Sequence, residues 1–213
     1  MPFEVFDYRK DIRNLWITPQ IRSRFMRLEP GVTSYGHTHD IAHEIFLILQ
    51  GQAEFTIEGE TAILGPGQVC FARAHEWHEV RALGDEPMIM YLSVTPHIEP
   101  THTLWHGHEY KLPYQYGNST RLEREAANLP LAPAEEITAR FLATTRALAD
   151  ATSANVAAQE TATAQLVAAE AQGDTAAAKA AVDAMWAQLY AMYQQLHALE
   201  EVWNELAPRV ADA

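Results

Sequence analysis

The chain is 213 residues long, with 48% hydrophobic residues and a formal net charge of −13. That apolar content supports one packed domain or two small ones, while the acidic balance argues against partners bound through phosphates or anionic membrane surfaces. A single cysteine, Cys70, excludes an intrachain disulfide framework and reads as a buried thiol in the apolar run Val69-Cys70-Phe71. The first residues show no basic segment followed by an apolar one, and no stretch approaches eighteen apolar residues, so a cytoplasmic protein is expected.

In chain order, Arg22 to Leu28 reads as a strand ended by Pro30-Gly31, and Glu44 to Leu49 as a second closed by Gln50-Gly51. Ala53 to Glu58 and Thr61 to Leu64 flank a Glu58-Gly59-Glu60 turn as a hairpin. Gly65-Pro66-Gly67 leads into Gln68 to Ala72, His78 closes a further strand-like segment, and Met88 to Thr95 is the last clear strand. Short strands at this spacing with Gly and Pro between them indicate a sandwich or barrel. From Pro96 the pattern loosens into a histidine-rich segment, His97 to His108, expected to pack as an extension anchored by Trp105 or to lie over the barrel opening. His43, His75, His97, His102, His106 and His108 read as ordinary polar side chains.

Near Leu129-Pro-Leu-Ala-Pro133 the composition turns alanine-rich, with Glu, Gln and Leu, which favours helix. Gly173-Asp174 breaks the run, Gly ending one helix and Asp174 capping the next. The expected arms are 134–171 and 175–207. Val182, Met185, Leu189, Met192, Leu196, Leu199, Trp203 and Leu206 alternate three and four apart as an a/d seam, widened by Trp186, Tyr190 and Tyr193. The first arm, with Ile137, Phe141 and Leu148 followed by Asn155, Ala158 and Ala162, presents a weaker face. One Ala-rich face cannot cover that seam, so a second copy of the chain, a homodimer, is the expected partner. The domain boundary is placed at 125/126: a β unit over 1–125 and a helical hairpin over 126–213.

Two short runs carry the chemistry. His37 and His39 are two apart, so on a strand their imidazoles leave one face, and Glu44 and His78 complete a set of three nitrogens and one carboxylate. Such donors suit one divalent first-row metal, whether iron, manganese, nickel, cobalt or zinc. Four protein ligands around an ion that prefers six leave room for water or substrate. Alternation nominates the pocket wall: Tyr35 with His37 and His39, Phe46 and Ile48 with Glu44, and Val80 with His78, while Trp77 and Glu79 point away. Arg73 and His75, in the turn before His78, are candidates for recognising a charged substrate. Glu44 and Tyr35 are the candidate catalytic groups.

At these residues the sequence resembles the cupin superfamily. Gly31, His37, His39, Glu44 and Gly51 meet the family's first motif, G-x5-H-x-H-x4-E-x6-G, in its longer germin-like spacing. In the second motif, G-x5-P-x-G-x2-H-x3-N, Gly67 and His78 match, whereas Arg73, His75 and Ala82 replace the proline, glycine and asparagine. The resemblance covers roughly residues 20–100. It implies a mainly β protein, a cupin-type jelly-roll barrel followed here by the α-helical hairpin, with His37, His39, Glu44 and His78 as metal ligands. It also implies a metal-dependent enzyme acting on a small organic molecule, an oxygenase of the dioxygenase kind. The other reading is a non-catalytic protein that binds metal or a small ligand and uses its helical arm for protein interaction.

Overall fold

The structure, a computed structural model, describes residues 3–211. The chain divides into two compact units: residues up to Leu129 together with the segment from Ala207, and Pro130–Leu206. The division falls four residues after the expected boundary. It also returns the C-terminal 3₁₀ turn Ala207–Val210 to the first unit, where it contacts the short helix α1, Ser119–Ala126.

The first unit is a jelly-roll-like pair of antiparallel sheets. Its strands are β1 (Asn14–Thr18), β2 (Ile21–Leu28), β3 (His43–Gln50), β4 (Gln52–Ile57), β5 (Glu60–Leu64), β6 (Val69–Ala72), β7 (His78–Leu83), β8 (Met88–Thr95), β9 (Trp105–His106) and β10 (Tyr110–Lys111). One sheet runs β1-β2-β8-β3-β6 and the other β5-β4-β7, with β9 and β10 as a small ribbon. Six expected strands are found within two residues at each end, whereas β1, β9 and β10 carry too few alternating positions to be read from sequence. His78 opens β7 rather than closing the segment before it.

Alternation sorts the two faces of the strands. Phe46, Ile48, Phe55, Val80, Ala82, Met88, Met90 and Leu92 are buried between the sheets in one cluster. Register then sets side chains in rows across the larger sheet. Arg22, Val94, Glu44 and Ala72 form one row, and Arg24, Leu92, Phe46 and Cys70 the next. Residues 31–38 extend the smaller sheet irregularly. Gly31 N–H donates to Ala82 C=O and Ser34 N–H to Val80 C=O, and the backbones of His37 and His78 exchange both hydrogen bonds. His37 and His39 therefore sit on a bridged, bent segment rather than on a regular strand. Cys70 is half-buried against the core rather than enclosed by it, and burial pushes its thiol up to about 12.

The second unit is the expected hairpin, α2 (Ala134–Gln172) and α3 (Thr175–Leu206). Gly173 adopts the left-handed conformation at φ 68°, so its N–H reaches Glu170 C=O while Asp174 N–H reaches Ala169 C=O. The Asp174 carboxylate then caps α3 through Ala177 N–H at 2.9 Å. The two helices pack through a mixed seam: Phe141 meets Trp203 with ring centroids 5.7 Å apart, Gln159 donates to the Met185 C=O, and Ala162, Ala169 and Ala181 are buried. The predicted seam from Met185 to Leu206 is half-buried along its length and departs only at its first position, Val182, while Val182 and the flanking Trp186, Tyr190 and Tyr193 form a stripe that is 42–56% exposed. Small residues on α2 let the helices approach closely, which favours Ala181 over Val182 at the contact.

Gly36, one residue before His37, shows how tightly the bent segment is packed. A Cβ there would lie 1.9 Å from Trp77 Cζ2, and the Trp77 ring rests on His108 at 4.5 Å. Gly36→Ala should displace Trp77 and lower stability by about 1–3 kcal/mol. Thermal melts together with the tryptophan emission maximum check this; an unshifted spectrum and melting point would contradict it.

Candidate metal centre

His37, His39, Glu44 and His78 come together, each offering one ligand atom, with all four atoms within 4.8 Å of one another. The bent segment supplies His37 and His39, β3 supplies Glu44 from the larger sheet, and β7 supplies His78 from the smaller one. All four side chains are buried.

Hydrogen bonds fix which nitrogen of each ring is the lone pair. His37 Nδ1 lies 3.1 Å from the Tyr35 C=O and His78 Nδ1 2.9 Å from the Glu76 C=O, and His39 Nδ1 is bonded to the Thr101 C=O. A carbonyl oxygen only accepts, so each Nδ1 carries the proton and each neutral ring directs a bare Nε2 inward. Glu44 Oε2 sits 2.9 Å from His39 Nε2 and 3.1 Å from His78 Nε2, and 3.9 Å from His37 Nε2. His37 Nε2 is buried with no hydrogen-bond partner. Acceptors therefore face acceptors, which is unfavourable unless positive charge stands among them.

Protons could supply that charge only by making imidazolium rings in a buried place. Burial, reinforced by the neighbouring His78, pushes His37 down to about 4 despite Glu44. A metal cation meets the same need with every ring neutral. Burial alone would raise the Glu44 carboxyl, but hydrogen bonds and positive charge presented to it from the His39 and His78 side outweigh burial and hold it well below the usual range, so the carboxylate form calls for a cation at this place. The donor set, three imidazole nitrogens oriented by backbone carbonyls and one carboxylate oxygen, fits a divalent transition metal. The cluster is positioned to bind a metal ion.

A cavity of about 320 Å³ opens beside it. Of the expected wall residues, Tyr35, Phe46 and Val80 line it along with the ligands His37, Glu44 and His78. Tyr35 stands at the mouth, 62% exposed, its ring 5.2 Å from that of His37. Three expected wall residues lie elsewhere. Ile48 is wholly buried in the core one row below Phe46. Arg73 is exposed in the β6–β7 turn, paired with Glu76 and stacked over Phe71. His75 occupies the same turn at φ 70°, its N–H donating to the His39 C=O. These two turn residues support the segment that holds His39 and His78, and do not face the cavity.

Several cavity residues escaped sequence reading. Arg22 and Arg24 enter from β2, and their i, i+2 spacing on a strand with apolar Met26 next on that face was the available signal. The histidine-rich segment after β8 also contributes. Thr38 and Thr103 exchange backbone hydrogen bonds, and Trp105 Nε1 donates to Thr38 Oγ1 at 2.9 Å. This anchoring carries the Thr101 carbonyl to His39 and the His102 ring to 4.6 Å from that of His37. Burial, with His37 and His39 adding to it, pushes His102 well below its ordinary value, so it is neutral. Nothing in its spacing distinguishes His102 from the other loop histidines.

Acid should weaken the metal-free fold through these rings. His37 and His97, the latter pushed down to about 3 mainly by burial, stay neutral in the folded state while the unfolded chain takes up protons below its ordinary value of 6.5. Glu44 acts in the same direction, its folded carboxyl resisting protonation below 4.5. Stability should therefore fall progressively as pH drops from 6.5 towards 3. Thermal melts of metal-stripped protein across that range test this, and a melting temperature independent of pH would contradict the neutral, buried assignment.

The family model described as the cupin domain matches residues 24–95. A search of curated proteins found no match. Among solved structures, the chain is similar to a conserved protein with a double-stranded β-helix domain from Klebsiella pneumoniae, at 20% identity over 45% of this chain and 91% of that one, with a TM-score of 0.42. It is also similar to KdgF from a Halomonas species, at 25% identity over 41% and 79%, TM-score 0.38. A cupin 2 conserved barrel domain protein from Salinispora arenicola gives 23% identity over 45% and 88%, TM-score 0.38. The two motifs, the jelly-roll sheets, the converged ligand set and the matched domain model together make residues 24–95 a cupin domain.

Proposed function

We propose that the protein is a metal-dependent enzyme acting on a small organic molecule held in the cavity beside the cluster, with oxygenase chemistry as the reaction. The observation that carries this is the adjacency of an oriented four-ligand cluster and a cavity with mixed polar and apolar walls. A structural metal site is closed by protein on all sides, whereas here the same His37, Glu44 and His78 that would hold the ion also line the space for a ligand. When bound, the metal supplies Lewis acidity and a coordination position for a substrate oxygen or dioxygen.

The chain's own residues do the rest. The Tyr35, Glu76 and Thr101 carbonyls keep the three rings in the tautomer that ligates. Phe46 and Leu92 from the larger sheet and Val80 from the smaller one give the cavity apolar walls that exclude water, while Ser34 and Thr101 add polar lining. The phenol of Tyr35, at the mouth, is placed to meet a substrate as it enters.

His78→Ala should lower metal content to a small fraction of one ion per chain and abolish turnover, with the β-sheet circular dichroism retained. Elemental analysis and oxygen uptake on flavonoid, catechol, thiol and keto-acid substrates provide the readings. Full metal content in the variant would remove His78 as a ligand. A fully iron-loaded protein that consumes no oxygen with any of these compounds would favour the binding-protein reading.

For the helical unit we propose self-association through the stripe Val182, Trp186, Tyr190 and Tyr193. A two-helix hairpin buries one face of each helix, so a continuous aromatic stripe on the other face of α3 stays in water unless a second copy covers it. Trp186→Glu with Tyr190→Glu should convert the full-length protein to a monomer by light scattering. An unchanged mass, or a monomeric parent protein, would refute the assignment.

A further inference from the structure

Beside the metal cluster, two cations stand in the cavity, and among the described residues neither is paired with a carboxylate. Arg22 is only 6% exposed, and both Arg22 and Arg24 line the cavity. The Nε–H of each is buried with no hydrogen-bond partner, and among the described residues neither guanidinium takes part in an ion pair. Arginine stays charged under these conditions even where burial and a second guanidinium act against it, as they do on Arg24. A buried, unpaired guanidinium is strongly unfavourable by itself, and a protein retains two of them side by side when an anion completes the site.

Strand register fixes where that anion would sit. Arg22 lies in the same cross-sheet row as Glu44 with only β8 between them, which separates their backbones by roughly 10 Å at about 4.8 Å per strand. Arg24 lies one row along, beside Leu92 and Phe46. The two arginines and the metal ligands thus line one cavity from strands two apart, and its volume of about 320 Å³ is that of a small molecule. Met26, Met90, Leu92 and Phe46 floor this space with apolar surface. Asn118 and Ser119, at the N-terminus of α1, also line the cavity. With a divalent ion in the cluster, these two guanidinium groups and the ion outweigh the Glu44 and Glu99 carboxylates by two positive charges.

We infer that the cavity takes a small organic acid: its carboxylate bound by Arg22 and Arg24, its apolar carbon skeleton over Met26, Phe46 and Leu92, and a second oxygen directed at the His37–His39–Glu44–His78 cluster. This rests on the metal-enzyme reading for the role of the second oxygen, but the arginine clamp itself does not need the metal. Planar forks favour carboxylate or phosphate through paired hydrogen bonds. The apolar floor and the small volume favour an acid on a hydrocarbon frame over a phosphate ester.

The test is calorimetric titration of the full-length, zinc-loaded protein with benzoate, phenylacetate, phenylpyruvate and pyruvate, each paired with its amide, and with inorganic phosphate. At least one carboxylate should bind tenfold or more tighter than its amide. Arg22→Met and Arg24→Met should each reduce that affinity at least tenfold without altering affinity for the amide, and Arg24→Lys should give an intermediate loss. Zinc content of one ion per chain in each variant certifies that the barrel is intact. Carboxylates binding no better than amides, or variants binding as the parent does, would overturn the inference. Tighter binding of phosphate than of every carboxylate would overturn the choice of organic acid. The same titration of metal-free protein separates the two readings. Arginine-dependent carboxylate binding in a chain that takes up no zinc, iron, manganese, nickel or cobalt when each is supplied would defeat the metal-enzyme reading and leave this one standing. A zinc-loaded protein with no carboxylate preference would do the reverse.

Discussion

Three imidazole rings whose outer nitrogens are committed to backbone carbonyls must turn three lone pairs inward, and a fourth acceptor, Glu44, is waiting there. This enforced meeting of acceptors is the constraint on which the site depends. A cluster of histidines free to choose tautomers would relax into mutual hydrogen bonds and lose its demand for a cation. Here the Tyr35, Glu76 and Thr101 carbonyls remove that choice, and they do so from three separate places in the chain. Thr101 is the most telling, since it reaches His39 only because the segment after β8 is pinned back across the bent strand by the Thr38–Thr103 and Trp105–Thr38 hydrogen bonds. The histidine-rich segment therefore belongs to the site as a positioning element.

The sheets contribute order of a different kind. Because β2, β8 and β3 are antiparallel and in register, a residue two positions along one strand moves a whole row, and the rows sort themselves by chemistry. The row of Glu44 and Arg22 is polar at both ends with Val94 between them. The row of Phe46 and Arg24 is apolar except at its β2 end, and the row of Ile48, Met90 and Met26 is wholly apolar. Polarity falls along the barrel from the metal cluster to the core. The cavity closes where the rows turn apolar, which is why Ile48, on the same face as Glu44 and Phe46, belongs to the core and not to the wall.

What the sequence disclosed follows from the range of each signal. The four ligands were legible because they fall in two compact motifs whose spacing is set within single turns and strands. The strands β2 to β6 and β8 were legible from alternation, and the hairpin break from Gly173 and Asp174 acting on their own neighbours. Arg22 and Arg24 were not legible as cavity residues, because two arginines on a short strand look like a solvated face until register shows which side is enclosed. Arg73 and His75 misled for the converse reason: proximity to His78 in sequence put them near the cluster, but Arg73 is held outside by Glu76 and Phe71, and His75 sits at positive φ in an exposed turn. The replacement of Val182 by Ala181 at the start of the α3 seam has a packing cause. A heptad reading assumes that the apolar stripe meets its partner head on, whereas the alanines of α2 accept only a small opposing surface.

Charge acts on two length scales in this protein, and they oppose one another. The chain carries a net charge of −13, so at a distance it repels an anion, yet the cavity presents two unpaired guanidinium groups and a cluster built for a cation. Screening decides which is felt where. At physiological salt the repulsion from exposed carboxylates fades within about 8 Å, whereas inside the cavity, shielded from solvent, the arginines act almost undiminished. An anionic ligand would therefore be selected after arrival and not steered beforehand. Its association would quicken as salt damps the outer field, the reverse of the behaviour of an electrostatically guided site. Such an arrangement favours discrimination over speed, since entry gains nothing from the bulk field and binding depends on satisfying Arg22, Arg24 and the cluster at once.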